Sequence, residues 1–251
     1  MSEYSIVITT FDKRFQECLV PLVNAIKSQR PDMEIIVMVN GRANDQFNEN
    51  YRRELLAFLS TQTNCFPSIF TNFQSLAKMW NRGILTASHD HVLVVNDDIT
   101  IEQDNASGFF DCLDKLMKSG HNTFKLNGSF SHFMVHKPEV IQVGFFDERL
   151  LGIGEEDGDF TWRYYQVFQR EIPSLDIQYL VNTGSDQVDE GFVKGIRQYS
   201  KFNRDFIKQS KYERALLGGY KGMFDNRVKK VLLDEKQYPY EDFYRQNKHK
   251  V

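Results

Sequence analysis

The stretch VLVVNDD, residues 92–98, joins four consecutive apolar residues to an amide and two carboxylates. The run EIIVMV at residues 34–39 is nearly as apolar and is followed by Asn40, and SIVITT at residues 5–10 is rich in β-branched side chains. Short continuous apolar runs are typical of strands that are buried on both faces, and such strands belong to parallel sheets. The three runs therefore predict a buried, mostly parallel sheet with polar residues at its strand ends.

Apolar residues at helical spacing separate these strands. They predict helices at residues 18–28, 46–62 and 74–87, with one more short strand at residues 68–70. This alternation of strands and helices is typical of an α/β, Rossmann-like fold, in which helices flank a central sheet. The second half is less regular, and we predict helices at 107–118 and 159–170, strands at 123–126, 130–135 and 177–181, and a loop at 144–158.

The charge of the chain is unevenly distributed. The net charge is −3, but residues 191–251 contain 15 Lys and Arg against 7 Asp and Glu, whereas residues 1–190 contain 16 against 27. We therefore expect a core at residues 1–190 and a basic, aromatic, mostly helical C-terminal extension at residues 191–251 that packs on it. An equally good interpretation of the basic segment is a solvated helical face.

The composition excludes several classes of protein. Of the 251 residues, 41% are hydrophobic and 14% aromatic, which excludes a disordered or collagen-like chain. The longest apolar runs fall far short of the roughly 18 residues that a membrane span needs. The cysteines Cys18, Cys65 and Cys112 lie far apart, so we expect free thiols in a reducing compartment, hence a cytoplasmic protein without a signal peptide.

Polar residues cluster where the predicted strands end. The carboxyl ends of parallel strands share one edge of the sheet, where ligands bind. The clusters are Thr9, Thr10, Phe11 and Asp12 after the first strand, Asn40 after the second, and Asn96, Asp97 and Asp98 after the fourth. Because strand side chains alternate, we expect Asn96 and Asp98 to project together and Asp97 to point away. Such oxygen ligands suit Mg²⁺ or Mn²⁺ bound to a phosphate, while an ordinary turn would contain the same residues.

A second polar cluster, GIGEEDGDFTWR at residues 152–163, holds four carboxylates within the five residues 155–159. Carboxylates this close repel one another unless they are protonated, hydrated or face a cation. One of them, ionised in a cleft, would be able to deprotonate an incoming hydroxyl group. The alternative is structural, since acidic residues favour the first turn of a helix, and Asp159 and Arg163 have the spacing of an ion pair.

Five motifs, in order along the chain, resemble those of nucleotide-sugar glycosyltransferases of the GT-A fold, closest to family 2 and with an acidic motif similar to that of galactosyltransferases. Residues 94–99 (VVNDDI) look like the DxD element with Asn in its first place. The others are SIVITTFDKR at 5–14, SLAKMWNRGI at 75–84, VGFFDE at 143–148 with the acidic cluster at 154–163, and FNRDF at 202–206 with Lys211 and Tyr212. The resemblance covers most of residues 4–212 and implies the GT-A fold, with a nucleotide-binding half at about residues 1–100 and an acceptor half at about 101–190.

The resemblance implies a donor site for a nucleotide sugar, expected to be a UDP-sugar. Asp98 would bind Mn²⁺ or Mg²⁺, which stabilises the negative charge on the departing diphosphate. Many relatives supply a His to the metal after a late strand; here Asn182 occupies that place and Asp186 lies close by, so both are candidate ligands. His132 and His136 are expected to be packed or exposed histidines and not ligands. The nucleotide-binding residues would be Thr9, Thr10, Phe11, Asp12, Asn40, Asn81, Asn96 and Asp97.

The resemblance also assigns roles within the acidic cluster. Asp157 falls where the family has its general base, which takes the proton of the acceptor hydroxyl as that oxygen attacks C1 and inverts the anomeric centre. Glu156 would orient the acceptor or donor sugar. These roles require Asp98 and Asp157 to converge on one cavity. The acceptor and sugar contacts would come from Gly154, Glu155 and Trp162.

We expect the acceptor to be a glycan, a lipid-linked molecule or a small molecule, with no nucleic acid partner. The basic extension is compatible with peripheral contact to membrane headgroups or to a lipid diphosphate. Two other functions fit the same arrangement of strands and helices. A non-catalytic nucleotide-binding protein is favoured by Asn40 and Asn182, which depart from the family pattern. A nucleotidyltransferase is disfavoured because residues 9–14 contain no glycine.

Overall fold

The computed structural model describes residues 4–42, 46–104, 107–183, 190–214 and 228–232. The strands are β1 (Tyr4–Phe11), β2 (Ile35–Asn40), β3 (Cys65–Ile69), β4 (His91–Asn96), β5 (Ile99–Ile101), β6 (Phe124–Leu126), β7 (Ser129–His136), β8 (Ser174–Leu175), β9 (Leu180–Asn182), β10 (Tyr212–Arg214) and β11 (Val228–Leu232). The helices are α1 (Val20–Gln29), α2 (Glu49–Ser60), α3 (Leu76–Thr86), α4 (Phe109–Met117), α5 (Lys137–Val143), α6 (Glu156–Phe168) and α7 (Glu190–Phe206). A 3₁₀ turn (Asp12–Arg14) and a π-helical turn (Phe15–Leu19) precede α1, and a second π-helical turn (Ile207–Lys211) follows α7.

Seven strands form the central sheet, in the order β3-β2-β1-β4-β7-β6-β8. The first four in this order are parallel to one another, β7 is antiparallel to both β4 and β6, and β8 is parallel to β6. The prediction of a mostly parallel α/β sheet flanked by helices is confirmed. Because β1, β2 and β4 run in the same direction, their polar carboxyl ends lie at one edge of the sheet.

The apolar strand runs are buried on both faces, as the sequence predicts. Ile8 in β1 lies between Val37 of β2 and Val95 of β4, and none of the three is more than 1% exposed. Burying one aliphatic side chain of this size contributes about 1.5–3 kcal/mol to stability. Helix α3 approaches the sheet closely at Gly83, where a Cβ atom would lie 2.4 Å from Val7 Cγ1. A larger residue at position 83 would therefore push the helix away from the sheet.

Elements of the second half differ from the prediction. The strand predicted at residues 177–181 begins at Leu180 instead, and as β9 it pairs with β5 in a separate two-stranded antiparallel sheet. The loop predicted at residues 144–158 ends early, because α6 begins at Glu156. The residue before it, Glu155, has a left-handed backbone conformation with φ of 75°, which separates the loop from the helix. The short elements α5, β5 and β8 have too few residues to show a periodic pattern.

The chain forms two compact units, each made of separate segments. The first contains the central sheet and consists of Met1–Phe73, Met79–Val140 and Pro173–Gln187. The second contains α6 and α7 and consists of Gln74–Lys78, Ile141–Ile172 and Val188–Val251. The boundary expected at residue 190 stays a prediction. Of the expected basic extension, α7 and the turn after it are helical, while residues 215–227 and 233–251 lie outside the described part of the chain.

Two further expectations concern the whole chain. No helix among the described residues is long and apolar enough to cross a membrane. Cys18, Cys65 and Cys112 are free thiols, as predicted. The cytoplasmic localisation stays a prediction.

Candidate functional site

The carboxyl ends of β1 and β4 bring four polar residues together. The two strands are parallel, with Thr9 opposite Asn96. The Thr9 hydroxyl donates a hydrogen bond to Asn96 Oδ1 at 3.0 Å, and the Thr10 hydroxyl donates to Asp97 Oδ2 at 2.6 Å. The backbone N–H of Asp97 donates to the Thr9 carbonyl at 3.2 Å. The structure thus assembles at one edge of the first unit the residues that the sequence placed at strand ends.

Arg14 is a cation at this edge that the sequence patterns did not single out. Its Nη1 lies 3.0 Å from Asp97 Oδ1 and 2.9 Å from Asp98 Oδ2. Its guanidinium carbon is 5.3 Å from the centre of the Phe11 ring. Burial alone would lower the pKa of Arg14, but the two carboxylates raise it above its usual value, so the guanidinium is always charged. The motif at residues 5–14 includes Arg14, but sequence spacing does not show which carboxylates it meets.

The prediction that Asp97 points away from Asp98 is wrong, because both carboxylates reach Arg14, whereas Asn96 and Asp97 bond to the successive residues Thr9 and Thr10 as alternation predicts. Strand β4 ends at Asn96, so the alternation of strand side chains does not extend to Asp98, which lies with Asp97 in the turn before β5. Both carboxylates therefore reach the same nitrogen of Arg14. Asp97 is only 1% exposed, and burial raises its pKa to about 6, although Thr10 and Arg14 both favour the ionised form. In this structure the buried Asp97 side chain stabilises the turn through its contacts with Thr10 and Arg14. A direct contact between Asp97 and a nucleotide stays a prediction.

Asp98 has the features of a cation ligand. Its Oδ1 is buried and has no hydrogen-bond partner among the described residues, while its Oδ2 pairs with Arg14. Its carbonyl accepts hydrogen bonds from the N–H and the hydroxyl of Thr183, at 2.9 and 2.8 Å, which fix the turn. A buried acceptor without a donor is costly in an apo protein and is satisfied when a metal binds. The residues present therefore fit a divalent ion held through Asp98 Oδ1.

The candidate protein ligands Asn182 and Asp186 differ in what the described part of the chain shows of them. Asn182, one candidate, lies in β9 opposite Ile99. Asp186, the other, is outside the described residues. In the part of the chain that the structure describes, no group of three or more His, Cys, Asp or Glu side chains is arranged to hold a metal. An ion at Asp98 would complete its coordination with water and with oxygens of a bound substrate, as Mg²⁺ commonly does.

Two histidines on β7 differ in their surroundings. His136 stacks on His91 with ring centres 4.7 Å apart, as expected of a packed histidine. His132 lies opposite Val95 and is almost fully buried; its Nδ1 has no partner among the described residues. Burial lowers the pKa of His132, and the charge of Asp98 only partly offsets this, so the ring is neutral at physiological pH.

The ends of β1 and β2 carry a second ion pair. The Asp12 carboxylate accepts a hydrogen bond from Arg42 Nε at 3.0 Å, and its other oxygen lies 2.7 Å from Arg42 Nη2. Asn40 is opposite Phe11 in the parallel register, at the same edge. Gly41 allows the chain to approach the backbone of residues 71–72, since a Cβ there would be 2.7 Å from the Thr71 carbonyl oxygen. Asp12 and Asn40 are thus placed as predicted, with Arg42 as an added partner.

Asn81 is the candidate site residue that the structure places furthest from solvent. It lies on α3 and is 0% exposed, within the packed part of the first unit. Its neighbour Trp80 is also buried and packs edge-on against Phe133 with ring centres 5.1 Å apart. Trp80 is therefore a core residue. Contact between Asn81 and a nucleotide stays a prediction.

In the second unit, Glu155 and the first two residues of α6, Glu156 and Asp157, are consecutive acidic side chains with different partners. The Glu155 carboxylate pairs with Arg204 Nε at 2.6 Å and accepts a hydrogen bond from the Ser200 hydroxyl at 2.9 Å. Glu156 is almost fully buried and accepts the N–H of Gly154 at 2.6 Å. Burial, together with the charge of its neighbour, raises the pKa of Glu156 to about 8.

Asp157 is the third of these side chains. It is half-buried, and its Oδ1 accepts the N–H of Gly158 at 2.8 Å. Among the described residues no Lys or Arg lies in salt-bridge range of Asp157. Asp157 thus differs from Glu155, which is paired with Arg204, and from Glu156, which is almost fully buried.

A buried ion network lies behind this turn. Asp159 receives Arg163 Nε at 2.9 Å, Lys211 Nζ at 2.7 Å and the Tyr212 hydroxyl at 2.6 Å. Lys211 also lies 2.5 Å from Asp147 Oδ2. Burial disfavours the charged form of Asp159, but Lys211 and Arg163 hold its pKa well below its usual value. Lys211 belongs to the motif around residues 202–212, but its complete burial has no signal in the sequence.

The network contains the ion pair that the spacing of Asp159 and Arg163 predicted, and it also holds the loop before α6. Arg163 donates to the carbonyls of Val143 at 2.7 Å and Phe145 at 2.6 Å. The indole ring of Trp162, a predicted sugar contact, packs edge-on against Tyr212 with ring centres 5.0 Å apart. Sugar contacts from Trp162 stay a prediction.

Asn203, which the sequence analysis did not single out, clamps the glycine-rich loop. Its Oδ1 accepts the N–H of Leu151 at 2.7 Å, and its Nδ2 donates to the carbonyls of Leu151 at 2.9 Å and Gly154 at 2.7 Å. Gly152 has a φ of 56°, and a Cβ there would lie 2.3 Å from the Tyr199 ring. Asn203, within the motif at residues 202–206, thus fixes the backbone of residues 151–154 by hydrogen bonds.

Comparisons with known proteins bear on the fold. No protein-family model and no curated protein matches the chain. Among solved structures, S. aureus TarS is similar, with a TM-score of 0.55 and 14% identity over 84% of this chain and 41% of that one. This chain has the GT-A glycosyltransferase fold. It spans less than half the length of that TarS structure.

Two structures of TarS residues 1–349 show the same GT-A fold with ligands. The complex with UDP has a TM-score of 0.52 and 12% identity over 81% of this chain and 66% of that one. The complex with UDP-GlcNAc has a TM-score of 0.52 and 15% identity over 84% and 68%. At such low identity the similarity concerns the fold. The assignment to family 2 and the galactosyltransferase-like acidic motif stay predictions.

Within this GT-A fold, the structure brings together Thr9, Thr10, Asn96, Asp97 and Asp98 at one edge of the sheet. The acidic turn of α6 is in the second compact unit, whereas Asp98 is in the first. The convergence of Asp98 and Asp157 on one cavity stays a prediction.

Proposed function

We propose that this chain is a glycosyltransferase that moves a sugar from a nucleotide-sugar donor, a UDP-sugar, to an acceptor hydroxyl with inversion, using Mn²⁺ or Mg²⁺. The observation that carries the proposal is the buried carboxylate oxygen of Asp98, just after β4 in a GT-A fold, which has no hydrogen-bond partner among the described residues. The TarS structures with UDP and UDP-GlcNAc support the choice of donor. The acceptor would be a glycan, a lipid-linked molecule or a small molecule.

The donor would be bound by the polar edge of the first unit. Asn40 offers an amide to the edge of a base, and Asp12 would hydrogen-bond ribose hydroxyls once its contact with Arg42 opens. The side chains of Thr9 and Asn96 are hydrogen-bonded to each other, so the backbone that would lie next to the diphosphate is fixed before the donor binds. A divalent ion at Asp98 would stabilise the charge on the departing diphosphate as a Lewis acid.

The acceptor would be activated by Asp157. As the acceptor oxygen attacks C1, its proton would pass to the Asp157 carboxylate, and the bond from C1 to the diphosphate oxygen would break on the opposite face. Glu156, with its pKa of about 8, is neutral at physiological pH and would orient a sugar hydroxyl by donating a hydrogen bond.

The proposal is tested by measuring UDP binding and sugar transfer in parallel. We expect UDP to bind in the presence of Mn²⁺, and the Asp98→Asn variant to lose the metal-dependent part of that binding. Asp157→Asn should bind UDP normally and reduce transfer from a UDP-sugar by at least about 100-fold, because the general base is removed. Asp32→Asn, an exposed residue before β2, is the matched control and should leave both measurements unchanged.

The possible outcomes test separately the proposed base, the proposed donor and the catalytic activity itself. Normal transfer by Asp157→Asn would show that another group is the base. The absence of UDP binding, with and without Mn²⁺, would overturn the proposed donor. Binding without turnover over a broad panel of donors and acceptors would support the second candidate, a non-catalytic nucleotide-binding protein. The paired Asp12 carboxylate and the amide at position 40 favour that candidate.

A further inference from the structure

Arg14 forms an ion pair with Asp98, whose carboxylate would also bind the metal. A single nitrogen, Nη1, lies within 3.0 Å of both Asp97 Oδ1 and Asp98 Oδ2. The Arg14 side chain is only 13% exposed, so this contact is partly shielded from water. Two carboxylates and one guanidinium have a net charge of −1, and the only buried oxygen of the set without a partner among the described residues is Asp98 Oδ1.

The local structure holds Arg14 in contact with Asp97 and Asp98. The 3₁₀ turn and the following π-helical turn replace the regular start of a helix, and such irregular turns occur at functional sites. The Phe11 ring lies under the guanidinium. The other nearby carboxylate, Asp12, is directed to Arg42 and does not compete for Arg14. Arg14 therefore has two alternatives, its present pair of carboxylates or a new anion.

We propose that Arg14 competes with the divalent ion for Asp98, so that the ion binds firmly only together with the diphosphate, which gives Arg14 a new partner. This inference rests on the proposed function. Two cations that share one carboxylate repel each other, and the repulsion weakens the binding of the free ion. Diphosphate oxygens attract both cations, and the planar guanidinium is well suited to phosphate. Arg14 would then leave Asp98 for the diphosphate, and Asp98 would turn to the ion.

The exchange predicts a strong mutual dependence of the two ligands. If UDP raises the affinity for Mn²⁺ by some factor, Mn²⁺ must raise the affinity for UDP by the same factor. In the wild type we expect weak binding of free Mn²⁺ and much tighter binding once UDP is present. Removal of the Arg14 charge should make the two affinities more nearly independent.

The experiment is a titration of the full chain with Mn²⁺, followed by the electron paramagnetic resonance signal of the free ion, with and without UDP. Arg14→Gln should bind Mn²⁺ without UDP about tenfold more tightly than the wild type, because one nearby positive charge is removed. Arg14→Lys retains the charge and should stay close to the wild type. The matched control is Arg30→Gln, since Arg30 also contacts two carboxylates, those of Asp111 and Asp114, elsewhere in the first unit.

Several outcomes would overturn the inference. One is an Arg14→Gln variant with unchanged circular dichroism and equal or weaker affinity for free Mn²⁺. Another needs no variant: a wild type that binds Mn²⁺ equally well with and without UDP. If instead the wild type binds UDP in neither condition, the proposed function itself fails. Normal joint binding of UDP and Mn²⁺ with no effect of Arg14→Gln refutes only the competition.

Discussion

Glu155, Glu156 and Asp157 follow one another in the sequence but have different electrostatic surroundings. The first is paired with Arg204, the second is buried, and the third is half-buried and bonded only to the N–H of Gly158 among the described residues. Solvation and partners, more than residue type, set the protonation of a carboxyl group. This difference allows three consecutive residues to provide a paired anion, a neutral acid and a half-exposed carboxyl group.

The buried Glu156 predicts a dependence of stability on pH. Its pKa is raised from 4.5 to about 8 in the folded chain, first because of burial and then because of the charge of Asp157. Below about pH 4.5 the carboxyl is protonated in both the folded and the unfolded chain. Between about pH 4.5 and pH 8 only the unfolded chain loses the proton, so the unfolding free energy decreases as the pH rises. The wild type should lose about 2–4 kcal/mol of unfolding free energy from pH 5 to 8 that Glu156→Gln retains.

Urea unfolding at a series of pH values measures this difference. Glu171→Gln, an exposed residue that follows α6, is the control and should reproduce the wild-type profile. Parallel profiles for the wild type and Glu156→Gln would show that the buried carboxyl is ionised in the folded protein.

At the scale of elements, the glycine-rich loop before α6 has its shape imposed by another helix. Asn203 of α7 satisfies three buried backbone groups, two of Leu151 and one of Gly154. Replacement by alanine leaves these groups without partners, each at a cost of roughly 1 kcal/mol or more, so Asn203→Ala should lower the unfolding free energy by about 3 kcal/mol. Gln198→Ala, an exposed position on the same helix, should change it by less than about 0.5 kcal/mol. Equal stabilities in chemical denaturation would mean that the loop does not depend on Asn203.

Sequence patterns predict some of these elements and miss others for physical reasons. Strands β1, β2 and β4 are continuous apolar runs because both of their faces are buried, which leaves a clear signal. The pairing of β5 with β9 depends on segments about 80 residues apart, and each strand is only three residues long. Strand ends predict where Asp97 and Asp98 lie but not that both meet Arg14, because the turn and its partner are set by tertiary packing.

At the scale of the whole molecule, the stability of the second unit depends on residues 190–214, which include Lys211. Lys211 is completely buried between Asp147 and Asp159, which lie in the loop after α5 and in α6. A buried carboxylate that loses its cation is strongly destabilising, by about 3–5 kcal/mol. Residues 190–214 are therefore an integral part of the second unit in the folded chain.

A shortened chain tests this dependence directly. A chain of residues 1–189 lacks α7, Asn203 and Lys211, so it should leave the carboxylates of Asp147 and Asp159 without their buried lysine and open the segment 141–172. Arg149 and Arg163 are only 3% and 5% exposed in the full chain, and trypsin should cut after them far faster in the shortened chain, because cleavage requires local opening. A chain of residues 1–232, which retains α7 and the pairing of β10 with β11, is the control and should resist cleavage at both arginines. Equal protection of these two sites in residues 1–189 would show that the second unit is held together without the segment after residue 189.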